Sequence, residues 1–390
     1  MERPDQERLS QDVEAFCQAI RPLEERCYLE RLHNEDTLAL ASQHNLLGMP
    51  IPPEYGGRGA DNVSYARALA RIGREGNAVR TFFSGQTSIG QYPILAWGNA
   101  DQKQRYLPPS VQGDVVLAFG LTEPEAGSNP REMQMTYRRD DDRFLLNGEK
   151  YLITNGGIAN VAILFAYPEG GAGRISAFIV ETAAPGFARE ELFPKMGMHT
   201  VTTARFALTD CPVPATNLLG SEGDGLRIAM TTLISGRLSV AAGCLGVIED
   251  CLVETVAYAK QRHQHGKAIA RHQLVQEHIA TIELARVTTE AVVLQAAAAK
   301  DASDAEPTDS ALRSRADLLV AEAKLYASQA AWDAADRAVQ VFGGRGYLEQ
   351  FRPARHLQDV RVCRLYEGTD EILKLKIAAA VLGKEYEAYH

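Results

Sequence analysis

Arg364-Leu365-Tyr366-Glu367-Gly368-Thr369-Asp370-Glu371-Ile372 is a break between two helical patterns. Arg355 to Leu365 leads in, mixing polar and apolar residues. Asp370 to Leu382 leads out, with apolar Ile372, Leu373, Leu375, Ile377, Ala380 and Val381. Gly368 stops the first pattern, and Thr369 is an N-cap with acids in the turn behind it. The spacing predicts Glu367 in a tight interhelical turn, held by two rigid elements. A general base that must meet one C–H bond needs that placement.

Working outward, Leu226 to Gln261 reads as one long, broadly apolar helix, followed by helices over about Leu274 to Lys300 and Ser310 to Val341. Polar, proline-bearing Asp301 to Asp309 reads as a loop between the last two. Long helices apolar over most of their length predict a four-helix bundle whose outer faces are also covered. Upstream the period changes. Val115-Val-Leu-Ala-Phe119, Val161 to Tyr167, Ile175 to Val180 and Thr203 to Leu208 read as strands. Arg143 to Thr154, divided by Asn147-Gly148, reads as a hairpin with a type I′ turn. Before about Val115 the chain is helical, with Leu9, Val13, Phe16 and Ile20 at helical spacing, broken by Gly48-Met-Pro-Ile-Pro-Pro-Glu-Tyr-Gly-Gly57. The fold class is α+β: an N-terminal helical domain (1–115), a small central β domain (116–220) and a C-terminal helical bundle (221–390).

A chain of 390 residues, 45% hydrophobic and 23% charged, buries a sizeable core. Its net charge of −9 disfavours nucleic-acid binding. No apolar run reaches membrane-span length, and the first residues lack the apolar core of a secretory leader. The six scattered cysteines read as reduced thiols of a cytoplasmic protein. The nine histidines form no spaced ligand set, so no metal is expected. No Gly-x-Gly-x-x-Gly follows an early strand, so a Rossmann dinucleotide site is not expected.

Several stretches recur in one order: Leu121-Thr-Glu-Pro-Glu-Ala-Gly-Ser-Asn129, Asn147-Gly-Glu-Lys150, Ile153-Thr-Asn-Gly-Gly157, Arg262-His-Gln-His-Gly-Lys267, His272-Gln273, Gln340-Val-Phe-Gly-Gly-Arg-Gly346 and Tyr366-Glu-Gly-Thr369. Together they make the chain resemble the acyl-CoA dehydrogenases, which are FAD enzymes. The resemblance implies that family's fold and its usual dimer-of-dimers homo-oligomer. It implies α,β-dehydrogenation of an acyl thioester, with Glu367 taking the α-proton and the β-hydrogen leaving as hydride to flavin N5.

For the cofactor, the resemblance implies flavin contacts at Phe119, Leu121, Thr122, Ser128, Leu152, Ile153 and Thr154. Arg262, His272 and Gln273 match positions that reach the FAD of a neighbouring subunit. Gln340, Gly343 and Gly344 match a loop at the adenosine end, and Thr369 and Glu371 the last cofactor contacts. Ser128, Arg237, Tyr366 and Gly368 match positions on the substrate side. The family commonly has tryptophan where Leu152 stands, phenylalanine where His265 stands, an acid where Ile234 stands and arginine where Lys374 stands. Some relatives carry the base just before an arginine matching Arg237; here that slot is Gly236, which cannot act. Implied partners are an acyl-CoA and an electron-transfer flavoprotein. Two alternatives stand beside this reading: a substrate tethered to acyl carrier protein, in the manner of polyketide or nonribosomal peptide pathways, and a flavin-binding assembly protein without turnover.

Overall fold

A computed structural model describes residues 4–171, 173–386 and 388. Met1 to Arg3, which belong to the stretch read above as leaderless, lie outside the described residues. Helices α1 (Pro4–Glu30), α2 (Asp36–Gln43), α3 (Asn62–Gly73), α4 (Asn77–Phe83), α5 (Tyr92–Trp97) and α6 (Ala100–Gln112) come first. Leu9, Val13, Phe16 and Ile20 form the buried stripe of α1. Asp61 caps α3 by accepting from the Ser64 amide, and Asn99 and Gln102 make a reciprocal capping box on α6. Between α4 and α5 the chain continues as a π-helix, Ser84–Gln91, in which every residue is buried.

The β layer comprises β1 (Leu117–Gly120), β2 (Thr136–Asp140), β3 (Arg143–Thr154), β4 (Val161–Pro168), β5 (Ser176–Glu181), β6 (Phe187–Glu191), β7 (Thr203–Pro214) and β8 (Leu218–Leu219). The strand order is β6-β7-β3-β2-β4-β5-β8, with β1 parallel to β4. The expected hairpin at Asn147-Gly148 is not formed. β3 runs straight through it, antiparallel to β7, with a register shift between Leu146 and Gly148. The Asn-Gly pair is a bulge: Gly148 takes φ +132°, and the Asn147 side chain bonds Asp210 on β7. The hairpin lies one turn earlier, where left-handed Asp141 joins β2 to β3.

The C-terminal layer holds α7 (Gly225–Gln261), a small ribbon of β9 (His263–Gln264) and β10 (Lys267–Ala268), α8 (Gln273–Ala305), α9 (Ser310–Phe342), α10 (Arg352–Val360) and α11 (Asp370–Leu382). α7 is 37 residues, about 56 Å, and is buried almost continuously from Thr232 to Ile248. It is wrapped by α8 and α9, and α3 covers its remaining face. The α3–α7 contact is close because Gly246 has no side chain; a methyl there would stand 1.9 Å from the Ala70 carbonyl. The polar run after Lys300 stays helical to Ala305 rather than opening as a loop. Lys300 pairs with Asp304 one turn on, and Asp301 and Asp304 accept from Asn62 at the start of α3.

Candidate active site

The turn that carries Glu367 is pinned from several directions. After α10, a 3-10 turn spans Arg361–Arg364. The Arg364 guanidinium then closes the loop onto Asp370 (2.7 Å), whose same oxygen accepts from Gln329 (3.0 Å). Thr369 Oγ1 caps α11 by accepting from the Ile372 amide (3.3 Å). Glu367 sits in the left-handed region (φ +57°), followed by Gly368 at φ +93°. That conformation costs a non-glycine residue about 1 kcal/mol, and three buried cations offset it. Arg80 Nη2 on α4 donates to the Tyr366 hydroxyl (2.5 Å). Arg237 Nε on α7 donates to the Glu367 carbonyl (2.9 Å), and Lys324 Nζ on α9 donates to the Gly368 carbonyl (2.7 Å). Three successive residues are thus tied to three different helices.

The Glu367 carboxylate lies over Gly236, whose missing side chain is the space it occupies: a methyl there would stand 2.5 Å from Oε1 and 2.6 Å from Oε2. Oε2 is shielded from solvent and has no hydrogen-bond partner. Burial raises the group to about 7, against the opposing pull of Arg237, Lys324 and Arg80. Desolvation therefore prevails in the free chain, before any ligand arrives. The counterweight is the set of three cations. Among the described residues the Glu367 amide N–H has no acceptor.

In the β layer, the ends of β1 and β3 converge. The Tyr151 amide donates to the Thr122 carbonyl (2.8 Å), and Lys150 Nζ reaches the Leu121 carbonyl (3.3 Å) and Glu123 (2.7 Å). Glu123 in turn accepts from the amides of Gln134 (2.5 Å) and Met135 (3.0 Å). On β3, Ile153 turns into the core, while left-handed Leu152 is 58% exposed. Thr154 is half-buried beside Gly85 of the π-helix, where a methyl would stand 3.2 Å from the Thr154 side chain. Phe119 is buried edge-on against Phe165 (5.0 Å), so its ring backs the strand from within. An exposed aliphatic side chain, short hydroxyls and converging backbone groups fit one face of a flat heterocycle such as the flavin ring.

The remaining cofactor candidates gather elsewhere. Arg262 closes α7, His272 and Gln273 open α8, and Gln340, Gly343 and Gly344 end α9. Tyr258 stacked on Phe342 (4.1 Å) and the Ile269 amide on the Arg262 carbonyl (2.8 Å) hold these ends together. Arg262 lies 26 residues beyond Gly236 on α7, about 39 Å along the axis. This group faces outward: Arg262, Gln273, Gln340, Gly343 and Gly344 are exposed, and the shielded Nε2 of His272 has no partner. Ser128 lies in an exposed loop and Glu371 is exposed on α11. Arg237, expected at the thioester arm, is buried inside the bundle between the Glu367 carbonyl and Asp317 (3.4 Å). Sequence reading missed Arg80 and Lys324. The signal for Arg80 was a lone charge inside Ala78-Val79-Arg80-Thr81-Phe82-Phe83.

Three family models match in the chain's own order: the acyl-CoA dehydrogenase N-terminal domain over 3–114, the middle domain over 118–211 and the C-terminal domain over 223–382. An acyl-CoA dehydrogenase of Bacillus subtilis is 41% identical over 343 residues, 87% of this chain and 88% of that protein. Butyryl-CoA dehydrogenase from Megasphaera elsdenii superposes with a TM-score of 0.91 at 33% identity, covering 98% of this chain and 99% of that one. An acyl-CoA dehydrogenase from Bacillus anthracis, solved with FAD, gives 0.90 at 30% identity over 98% of this chain and 68% of that one. With the Tyr366-Glu367-Gly368-Thr369 turn built onto the same three layers, the chain belongs to the acyl-CoA dehydrogenase family.

Proposed function

We propose that Glu367 is the base with which this chain, an FAD-dependent dehydrogenase of acyl-CoA thioesters, removes the α-proton of its substrate. The observation that carries this reading is the shielded, unpartnered Oε2 of Glu367, seated on Gly236 and poised near neutral pH by burial. A base of that kind gives up little hydration on meeting a C–H bond and takes the proton at the operating pH. The free Glu367 amide N–H is available to donate to the thioester oxygen as negative charge develops there. Leu121, Thr122, Leu152 and Thr154 hold one face of the FAD ring; bound there, FAD supplies the acceptor for the β-hydrogen and its electron pair. Arg262, His272, Gln273, Gln340, Gly343 and Gly344 serve the FAD of a neighbouring copy, so the working unit is a homo-oligomer, a dimer of dimers by family habit. An electron-transfer flavoprotein is the fitting acceptor. Six free, buried cysteines support a cytoplasmic setting.

The test is anaerobic mixing of the yellow protein with saturated acyl-CoAs. Wild type loses its oxidised-flavin absorption with at least one chain class. Glu367→Gln keeps its FAD and does not bleach. A Glu367→Gln protein that is reduced at the wild-type rate removes the assignment.

A further inference from the structure

Among the described residues four arginines are buried: Arg80, Arg237, Arg352 and Arg355. Three of them lie against carboxylates, Arg237 on Asp317, Arg352 on Asp250 and Arg355 on Glu25. Arg80, the most deeply buried, bonds only neutral acceptors. Its Nη2 donates to Asn77 Oδ1 (2.6 Å) and to the Tyr366 hydroxyl (2.5 Å), and its Nε is shielded without a partner. A guanidinium keeps its proton, and its planar fork matches a carboxylate, which accepts two N–H groups at once. The acid that shares these neighbours, Cys363, is a thiol. Burial pushes it up, while Cys244, Arg80 and Tyr366 bring it down to about 6. Its sulfur contacts the Tyr366 hydroxyl (3.4 Å) and Asn77 Nδ2 (3.4 Å), and one sulfur lacks the second acceptor that the fork matches.

Arg80 and Glu367 mark the two ends of one face of α7. Gly236 and Gly243 share that face, with Ser239 and Val240 between them. The Glu367 carboxylate fills the space over Gly236, and Arg80 Nε fills the space over Gly243. The Ser239 hydroxyl is fully buried and also has no partner. Seven residues of helix set the two glycines about 10 Å apart. Contacts of about 3 Å at each end leave about 4–5 Å, a little more than the roughly 3.8 Å spanned by three extended bonds. On the reading of Glu367 as the base, we propose that the substrate is the thioester of a short dicarboxylic acid, about four to six carbons long, whose far carboxylate is held by Arg80 while its α-carbon meets Glu367. Arg80 is then the residue that sets specificity. The redox step is as before: the α-proton passes to Glu367, and the β-hydrogen leaves with its electron pair for FAD.

The experiment is anaerobic flavin reduction by matched CoA thioesters, succinyl, glutaryl and adipyl against butyryl, pentanoyl and hexanoyl. FAD content and melting temperature serve as controls. Wild type is reduced by one of the diacid thioesters at least about tenfold more efficiently than by the monoacid of equal length, because the monoacid leaves a buried hydrogen-bonding group unpaired. Absence of any such preference overturns the proposal, and this arm needs no variant. Arg80→Gln lowers reduction by both classes, and by about a hundredfold more for the diacid, chiefly through KM. Equal losses for the two classes in an FAD-loaded Arg80→Gln protein overturn the proposal and leave Arg80 a prop for Tyr366. Arg80→Lys, a cation without the fork, gives an intermediate preference; if Arg80→Gln does not hold FAD, an unchanged ratio in Arg80→Lys overturns the proposal instead. Cys363→Ser keeps the wild-type preference, and its loss there overturns the proposal too. Titration calorimetry on Glu367→Gln, which binds without turnover, gives the same diacid preference. Failure of the Glu367 reading is distinguishable, because Glu367→Gln would then still be reduced, with the diacid preference intact.

Discussion

A methyl group on Gly236 would stand 2.5 Å from Oε1 of Glu367, so that carboxylate and the glycine are two parts of one fit. Gly236→Ala displaces the carboxylate rather than the helix, because α7 is packed on all sides. We expect FAD retention, a stability loss of about 1–3 kcal/mol from overpacking, and at least a tenfold fall in flavin reduction. Wild-type reduction in this variant would show that the carboxylate moves freely away from α7.

The raised Glu367 carries a pH signature of its own. Its ordinary value is 4.5, and burial takes it to about 7. Between those limits the folded chain keeps a proton that the unfolded chain has released. Stability from this group is therefore full below about 4.5 and is lost as pH rises to 7. Glu367→Gln removes the loss, so the variant should melt above wild type at pH 8, by up to a few kcal/mol equivalent, and match it near pH 5. Melting curves at the two pH values check this; equal differences at both would contradict the burial argument.

Lys324 is fully buried and its ammonium holds the Gly368 carbonyl. Lys324→Met fills similar space but leaves that carbonyl unpaired and removes a cation facing Glu367. The expected cost is about 2–4 kcal/mol by chemical denaturation, with reduced flavin reduction in the fraction that folds. A variant as stable as wild type would mean that water replaces the ammonium.

Glu123 and Lys150 form a buried pair that ties the end of β1 to β3. Glu123→Gln leaves Lys150 without its counter-charge and loosens Leu121 and Thr122. We expect about 3 kcal/mol of destabilisation and measurably faster FAD release, followed by flavin fluorescence after dilution. Unchanged release would detach this pair from the cofactor platform.

The separation of Arg262 from Glu367 permits a complementation test. Arg262→Ala and Glu367→Gln are each expected to be inactive alone. Co-assembled, a subunit with Glu367 intact receives Arg262 from a neighbour, and activity returns to a fraction of wild type. No recovery in verified mixed oligomers would place both residues at one chain's own site.

The C-terminal turn was legible because its determinants are local. Thr369 caps α11 from the next residue, and the helix spans Asp370–Leu382 as its apolar pattern requires. Asn147-Gly148 misled because an Asn-Gly pair allows either a turn or a bulge. The partner strand β7, some 60 residues away, decides which. Arg80 was opaque for a similar reason: its partner Tyr366 is 286 residues distant, and no local pattern marks a buried cation that serves another segment. Lys324 sits in an alanine-rich helix where a lysine ordinarily reaches solvent.

α4 and the buried π-helix form one continuous strut. Arg80 on it grips Tyr366, and Gly85, five residues on, is pressed against Thr154 and Asn155. The spacer between the Glu367 turn and the end of β3, the proposed base and the proposed cofactor face, is therefore a single short piece of backbone, not a hinge between domains. A rigid strut of this kind ties the reach between its two ends to the helical rise of about 1.5 Å per residue rather than to how the layers pack.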